Sequence, residues 1–488
     1  MTHPAPSHAA AAVVPDRHAR PWLVAWGALL GLSLLKFGNP VVLDRQIPVP
    51  ASMAEAFADP WPVRWALVLG ALLLIAGGVI AWRSLVARCA RLPVLLWLAP
   101  SLWLGWQFLS TAQSEDRSLS FGTLAQFGGV AGAYAAGIAF ITDRRRLTWV
   151  LAGVLAGFCI CLMRAVNQRT EFPQVRAALI EGERTGWTNF PPAAVRDLER
   201  QQLIVVTNGL RVANPLILLK LDRGRVHGTL VYPNALAGAV LLLLPALWVL
   251  VREWTLPGRP VTRFAAIGLL LLLGIVALAW SGSKSGWLIA LMMIGALGLR
   301  LPLPLPPRWR RAAVATVAAA GLLVFALRFQ EYFGAGATSV GARFDYWRSA
   351  VHTTLDEPWL GTGPGTFQRS YAARKSPESE MARLAHNDYL EQFSDSGVAG
   401  GILYLAWIGG WVWVSARRAW TGPDPLVLAA ALGVTAWFAQ GLSEFSLYVP
   451  ALAWTAFTLA GAVTVLTTLT APETSPTATP LPSAPRTS

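Results

Sequence analysis

The chain has 488 residues, 54% of them hydrophobic and 14% charged, and its mean hydropathy is +0.47. A soluble domain carries about 25% charged residues, so this composition excludes an ordinary soluble globular protein. The net charge is +14, but no RNA- or DNA-binding module is recognisable. The excess reads as the Lys and Arg that short cytoplasmic loops collect to fix membrane orientation, and no nucleic-acid partner is expected.

Apolar runs long enough to cross a bilayer, about 20 residues each, recur along most of the length. They are continuous in Leu, Ala, Val and Gly and do not alternate, which predicts an all-α polytopic membrane protein rather than a barrel. Residues 1–21 read as a cytoplasmic segment ending in Arg17, His18 and Arg20. The run from Trp22 lacks a convincing small-residue cleavage site, so it is expected to remain as a first span. Within 22–163, spans are predicted at 22–38, 63–82, 92–110, 121–142 and 147–163. A long polar loop at 164–230 follows. Region 231–328 holds spans at 231–251, 264–280, 286–300 and 312–328, with a turn around Lys284. A second long polar loop covers 329–396. Region 397–470 holds spans at 397–415, 425–442 and 447–469, about twelve in all. Residues 471–488, rich in Pro, Thr and Ser, are expected to form a disordered cytoplasmic tail.

The short connections carry arginine on one side only: Arg83/Arg88/Arg91, Arg144–Arg146, Arg252/Arg259/Arg263, Arg300/Arg308/Arg310/Arg311 and Arg417/Arg418. That pattern predicts cytoplasmic termini and an extracytoplasmic position for 164–230 and 329–396. Pro302, Pro304, Pro306 and Pro307 predict a stiff extended strap over 300–311. No inverted repeat of the transporter kind is visible. Cys89, Cys159 and Cys161 have no metal or redox spacing and read as small hydrophobes.

Residues able to carry chemistry gather in a few polar breaks. Lys284 lies among Ser281, Ser283 and Ser285 just before an apolar helix. It reads either as a cation snorkelling at the membrane surface or as a phosphate ligand beside a helix N-terminus. Gly341–Phe367 reads as an amphipathic helix with Phe344, Trp347 and Val351 on one face, followed by a turn. Arg343 and Arg348 offer planar forks for phosphate or pair with Asp345. The GTGPG turn at 361–365 follows no strand and precedes no Gly-Lys-Ser/Thr. It is read as shaping the backbone, with glycines at positive φ. His386-Asn387-Asp388-Tyr389 precedes the last apolar block, and His386 is either structural or a general base for a hydroxyl. Three metal ligands do not assemble at known spacing, so no metal and no cofactor is expected. Tyr232-Pro233-Asn234 opens a span with Pro in the first turn, where Asn234 either binds ligand or caps backbone.

YPNALAG at 232–238, SGSKSGWL at 281–288, RFDYWRSA at 343–350, EPWLGTGPGTF at 357–367 and HNDYLEQFSDSGVAGG at 386–401 together resemble the O-antigen ligase/polymerase (Wzy_C-type) membrane glycosyltransferases. The resemblance implies a GT-C-like bundle and an inverting, metal-independent transfer at the outer face of a bacterial cytoplasmic (inner) membrane. The donor would be an undecaprenyl-diphosphate-linked glycan, and the acceptor lipid A-core, a glycan or a protein, within the lipid bilayer's reach. It implies diphosphate contacts for Lys284 and Arg343, with Arg348 as a second candidate, and a base role for His386. Ser283, Asn234, Asn387, Asp388 and Tyr389 are the further substrate-binding candidates. The family usually has arginine where this chain has Lys284, which replaces a bidentate fork by a point charge. Lipid A-core ligation, repeat-unit polymerisation and protein O-glycosylation share these motifs. A polysaccharide or lipid transporter is the alternative from another class, and it predicts ionisable residues inside the spans, where this chain has few.

Overall fold

The computed structural model describes residues 14–254, 260–300, 306–334, 338–377 and 379–469. Most of the expected N-terminal segment, the tail, and Pro302 and Pro304 of the expected strap lie outside these residues. Each predicted apolar run coincides with a helix. The chain begins with α1 (Asp16–Lys36), α2 (Met53–Ala58), α3 (Val63–Cys89), α4 (Leu95–Ala112), α5 (Arg117–Phe140) and α6 (Arg144–Arg184). After α7 (Pro192–Arg200) come strands β1 (Ile204–Thr207) and β2 (Leu210–Ala213), then α8 (Pro215–Arg223). The second half runs through α9 (Pro233–Trp254), α10 (Pro260–Ser281), α11 (Lys284–Arg300), α12 (Pro307–Gly334), α13 (Thr338–Asp356) and α14 (Phe367–Arg374). It ends with α15 (Asp388–Trp411), α16 (Arg417–Thr421), α17 (Pro425–Gln440) and α18 (Pro450–Thr468). Among the described residues, 8 helices are long and apolar enough to cross a membrane: α3, α5, α6, α9, α10, α12, α15 with its continuation to Thr421, and α18. The remaining predicted runs lie in α1, α4, α11 and α17.

Close helix contacts come from small residues, as expected where lipid supplies no hydrophobic drive between helices. Gly27 and Gly31 of α1 face Gly153 and Gly157 of α6; a Cβ on Gly31 would lie 2.2 Å from the Gly153 carbonyl oxygen. The centre of the bundle is α18, where Trp454, Phe457 and their neighbours are buried. In α12, by contrast, 6% of the apolar window is buried, against 83% in α18, which puts α12 at the rim.

The described residues form the expected all-α polytopic bundle, with one small addition: β1 and β2 pair antiparallel as a hairpin. Its turn, Asn208-Gly209, has φ of 53° and 78°, the paired positive angles of the type I′ turn that Asn-Gly favours. One expectation needs correction, because 164–230 is not a plain loop. Helix α6 continues unbroken to Arg184, past the apolar run and through Pro173. Its extension, α7, the hairpin and α8 enclose a small core of Leu179, Trp187, Val195, Ile204 and Ala213.

Two ends of the bundle are chemically distinct. At one, Arg88 Nη1 donates to the Ile138 and Ala139 carbonyls, Arg144 pairs with Glu253 and Asp424, and Arg300 donates to the Trp420 and Gly422 carbonyls. These are the arginines of the short connections. The other end carries the 164–230 unit, the α10–α11 turn, α13, α14 and the α17–α18 turn.

Candidate functional site

Glu444 organises the second end. It stands in the short turn between α17 and α18, with its side chain fully buried. Its Oε1 accepts from Arg343 Nη2 at 2.6 Å and from Asn234 Nδ2 at 2.6 Å. Its Oε2 accepts from the Tyr232 hydroxyl at 3.4 Å and faces His386 Nδ1 at 3.7 Å. A buried carboxylate must be compensated by charge and hydrogen bonds, and here partners arrive from three separate segments. Burial and the Glu444 charge raise the Tyr232 phenol well above its ordinary value, so it acts as a neutral donor.

Arg225 forms a second layer. Its Nη2 donates to Asn234 Oδ1 at 2.7 Å, and its Nε donates to the Ser281 carbonyl at 2.7 Å. Asn234 thus bridges Arg225 to Glu444. Burial lowers the Arg225 guanidinium from its ordinary value, with Glu444 opposing and Arg223 and Arg343 adding to the shift. The Ser281 contact brings this arginine to the turn that presents Lys284.

Lys284 heads α11, outside the helices long enough to cross. Its Nζ lies 3.6 Å from the Tyr332 ring centre and 5.0 Å from that of Phe329, a cation–π seat. No carboxylate pairs with it among the described residues. Partial burial, then Arg225, Arg343, Arg223 and Arg328, push its ammonium down to about 8. Ser283 is buried beside it, and its Oγ accepts from the Gly286 amide at 3.3 Å, which caps the helix.

His386 has φ of +52°, a left-handed conformation uncommon for a residue with a Cβ. The segment is held on both sides. The Ala385 amide donates to Glu391 Oε2, and the Asp388 amide donates to the Gly441 and Glu444 carbonyls at 2.8 and 3.1 Å. The imidazole stacks on Tyr346 at 5.8 Å and meets the Phe445 ring edge-on at 4.7 Å. Its side chain is 28% exposed, against 0% for Glu444. A ligand can therefore reach the imidazole but not the carboxylate behind it.

The structure brings Lys284, Arg343, His386 and Asn234 into this region and places the other sequence candidates differently. Arg348 is 73% exposed on the opposite side of α13 from Tyr346 and lies 3.9 Å from Asp345. Asn387 Oδ1 accepts from the Tyr389 and Leu390 amides, capping α15. Asp388 accepts from the Leu447 amide at 3.2 Å, and the Tyr389 hydroxyl donates to the Phe438 carbonyl at 2.8 Å. The GTGPG glycines take φ of +64°, +110° and +79°. Asp395 fastens that turn to α15 by accepting from the Gly365 amide at 2.6 Å. Sequence reasoning missed Arg225 and Glu444. The available signal for Glu444 was a lone carboxylate in the short turn between α17 and α18, whereas Arg225 stands among Lys220, Asp222, Arg223 and His227 and gave none.

Residues 269–405 match the family model described as O-antigen ligase, Wzy_C. The matched stretch contains Lys284, Arg343 and His386, while Arg225, Tyr232 and Asn234 precede it and Glu444 follows it. No curated protein matches the chain. Residues 269–405 of this multi-pass helical membrane protein are thus similar to the Wzy_C family of O-antigen ligases.

Proposed function

We propose that the protein transfers a glycan from an undecaprenyl-diphosphate carrier to an acceptor hydroxyl at the outer face of a bacterial cytoplasmic membrane. One observation carries this reading: Lys284, Arg225 and Arg343 gather with His386 and the buried Glu444 where membrane helices meet polar segments. Three cations against one carboxylate make a site for a strongly anionic group. A lipid-borne diphosphate would present that group at this level of the bilayer.

The chemistry follows from the geometry. With Nδ1 turned to Glu444, His386 leaves Nε2 to take the proton of an acceptor hydroxyl, the division of labour of a carboxylate-oriented imidazole. The acceptor oxygen attacks the anomeric carbon, and the bond from that carbon to the diphosphate oxygen breaks. Attack opposite the leaving group inverts the configuration. Negative charge develops on the departing diphosphate, where the preorganised cations stabilise it. Glu444 holds Arg343 by a charge-assisted hydrogen bond and favours the imidazolium formed on His386.

Deletion of the gene followed by electrophoresis of the surface polysaccharide tests the reading. Loss of all glycan on the lipid acceptor assigns ligation, and retention of a single repeat unit assigns polymerisation. An unchanged polysaccharide profile contradicts both and would move the acceptor to protein.

A further inference from the structure

Helix α13 has a face that the candidate site does not use. Tyr346 and Ala350 turn inward and are buried. On the other side Val340, Phe344, Val351 and Leu355 are exposed, and at helical spacing they fall in one narrow stripe with Arg348 among them. Leu355 is 70% exposed, and Trp359, just beyond the helix, 78%. Large apolar side chains gain about 1.5–3 kcal/mol each on full burial, so a water-facing stripe of this size forgoes several such terms.

The neighbours of the stripe indicate what covers it. Backbone at Pro358 and Trp359 rests on a break in α15, where Ser396 and Gly397 leave the helical conformation. The Val398 amide donates to the Pro358 carbonyl at 2.8 Å. From that point Val398, Ile402 and Leu405 are exposed along α15 as it runs into the apolar span. The α13 stripe is thus continuous, through Trp359, with a surface that faces acyl chains. At its other end, α13 follows closely on α12, whose Leu323 and Leu327 are exposed in the same way.

We propose that α13 and Trp359 are seated in the interfacial layer of the bilayer leaflet beside the site. The apolar stripe lies against acyl chains, and Arg348 reaches the lipid phosphates. The partner is the lipid surface itself. An amphipathic helix with one basic residue in its apolar stripe and a tryptophan at its end suits that position. The helix that holds Arg343 against Glu444 then lies at headgroup level. This placement does not depend on glycan transfer.

The test uses nitroxide labels at Leu355→Cys and, separately, Val351→Cys, with Cys89, Cys159 and Cys161 replaced by Ala. Protein is reconstituted in phosphatidylethanolamine/phosphatidylglycerol vesicles, and collision with oxygen is compared with collision with a water-soluble nickel chelate. Ala373, exposed on α14, supplies the water-facing reference. The expected result is an oxygen-to-nickel ratio several-fold higher at both stripe positions than at Ala373. A nickel-dominated label on the stripe overturns the proposal. So does poor access to both reagents, which would mean protein, including a second copy, covers it. Should the replaced chain not fold, photo-crosslinking of the natural chain with diazirine-bearing acyl lipids reads the same point. Adducts within 340–359 support the placement, and their confinement to the spans contradicts it.

Discussion

Arg343 Nη2 and Glu444 Oε1 lie 2.6 Å apart although 101 residues separate them in the chain. The carboxylate is fully buried, and the guanidinium is 20% exposed. This pair ties α13 to the α17–α18 turn, and His386 faces the same carboxylate. One buried acid therefore sets the position of a proposed diphosphate ligand and of a proposed base.

Replacing Glu444 separates its two tasks. Glu444→Gln keeps the volume but not the charge that orients Arg343 and supports the imidazolium. We expect kcat for transfer to fall roughly 10²–10⁴-fold, with near-normal yield of folded protein. Glu444→Ala leaves Arg343 without its partner in a partly buried site and should destabilise by about 3–5 kcal/mol, read as a lowered thermal midpoint in detergent.

Lys284 sets an alkaline limit. Its ammonium is pushed down to about 8, and the charged form is the one that attracts diphosphate. Charge is therefore full below that pH and lost above it, so kcat/KM for the lipid-linked donor should decline as pH rises through about 8. Lys284→Arg keeps its charge over this range and should remove the alkaline decline. Coincident pH profiles for the two proteins would exclude the assignment.

Asn387 stands beside the proposed base, yet its side chain caps α15. Asn387→Ala should cost about 1 kcal/mol of stability and Asn387→Ser much less. Donor KM should be unchanged for the fraction that remains folded. A large KM effect in the serine variant would instead make Asn387 a ligand.

Gly397 allows Trp359 to lie against the break in α15. Its φ is +69°, and a Cβ there would fall 2.2 Å from the Trp359 carbonyl oxygen. Gly397→Ala should destabilise by about 1–3 kcal/mol through strain alone. Thermal unfolding in detergent checks this against Gly409→Ala, where a Cβ meets nothing within 4 Å.

The membrane helices were legible because bilayer length and apolarity act on every residue of a span at once. Lys284, Arg343 and His386 were legible because each stands in a polar break with a recognisable neighbourhood. Glu444 was not, since a lone ionisable residue in a short turn looks like any loop residue until folding closes the 101-residue separation to Arg343. Arg225 was not, since it is one of several charged residues over 220–227 until folding brings it to Asn234 and Ser281. The extension of α6 was hidden for a different reason. Beyond the apolar run its support is packing on a small separate core and Arg–Glu contacts such as Arg184–Glu181, which leave no hydropathy signal. The hairpin did leave one, Asn208-Gly209 after the β-branched run Ile204–Thr207, and the surrounding arginines and glutamates obscured it.

The central claim is that His386, backed by Glu444, activates the acceptor while the cations hold the donor. The direct measurement is transfer from a purified polyprenyl-diphosphate glycan to acceptor in reconstituted vesicles, with donor binding followed in parallel. His386→Ala should bind donor with affinity close to that of the natural protein and lose transfer by roughly 10²-fold or more. Full transfer by His386→Ala would contradict the account.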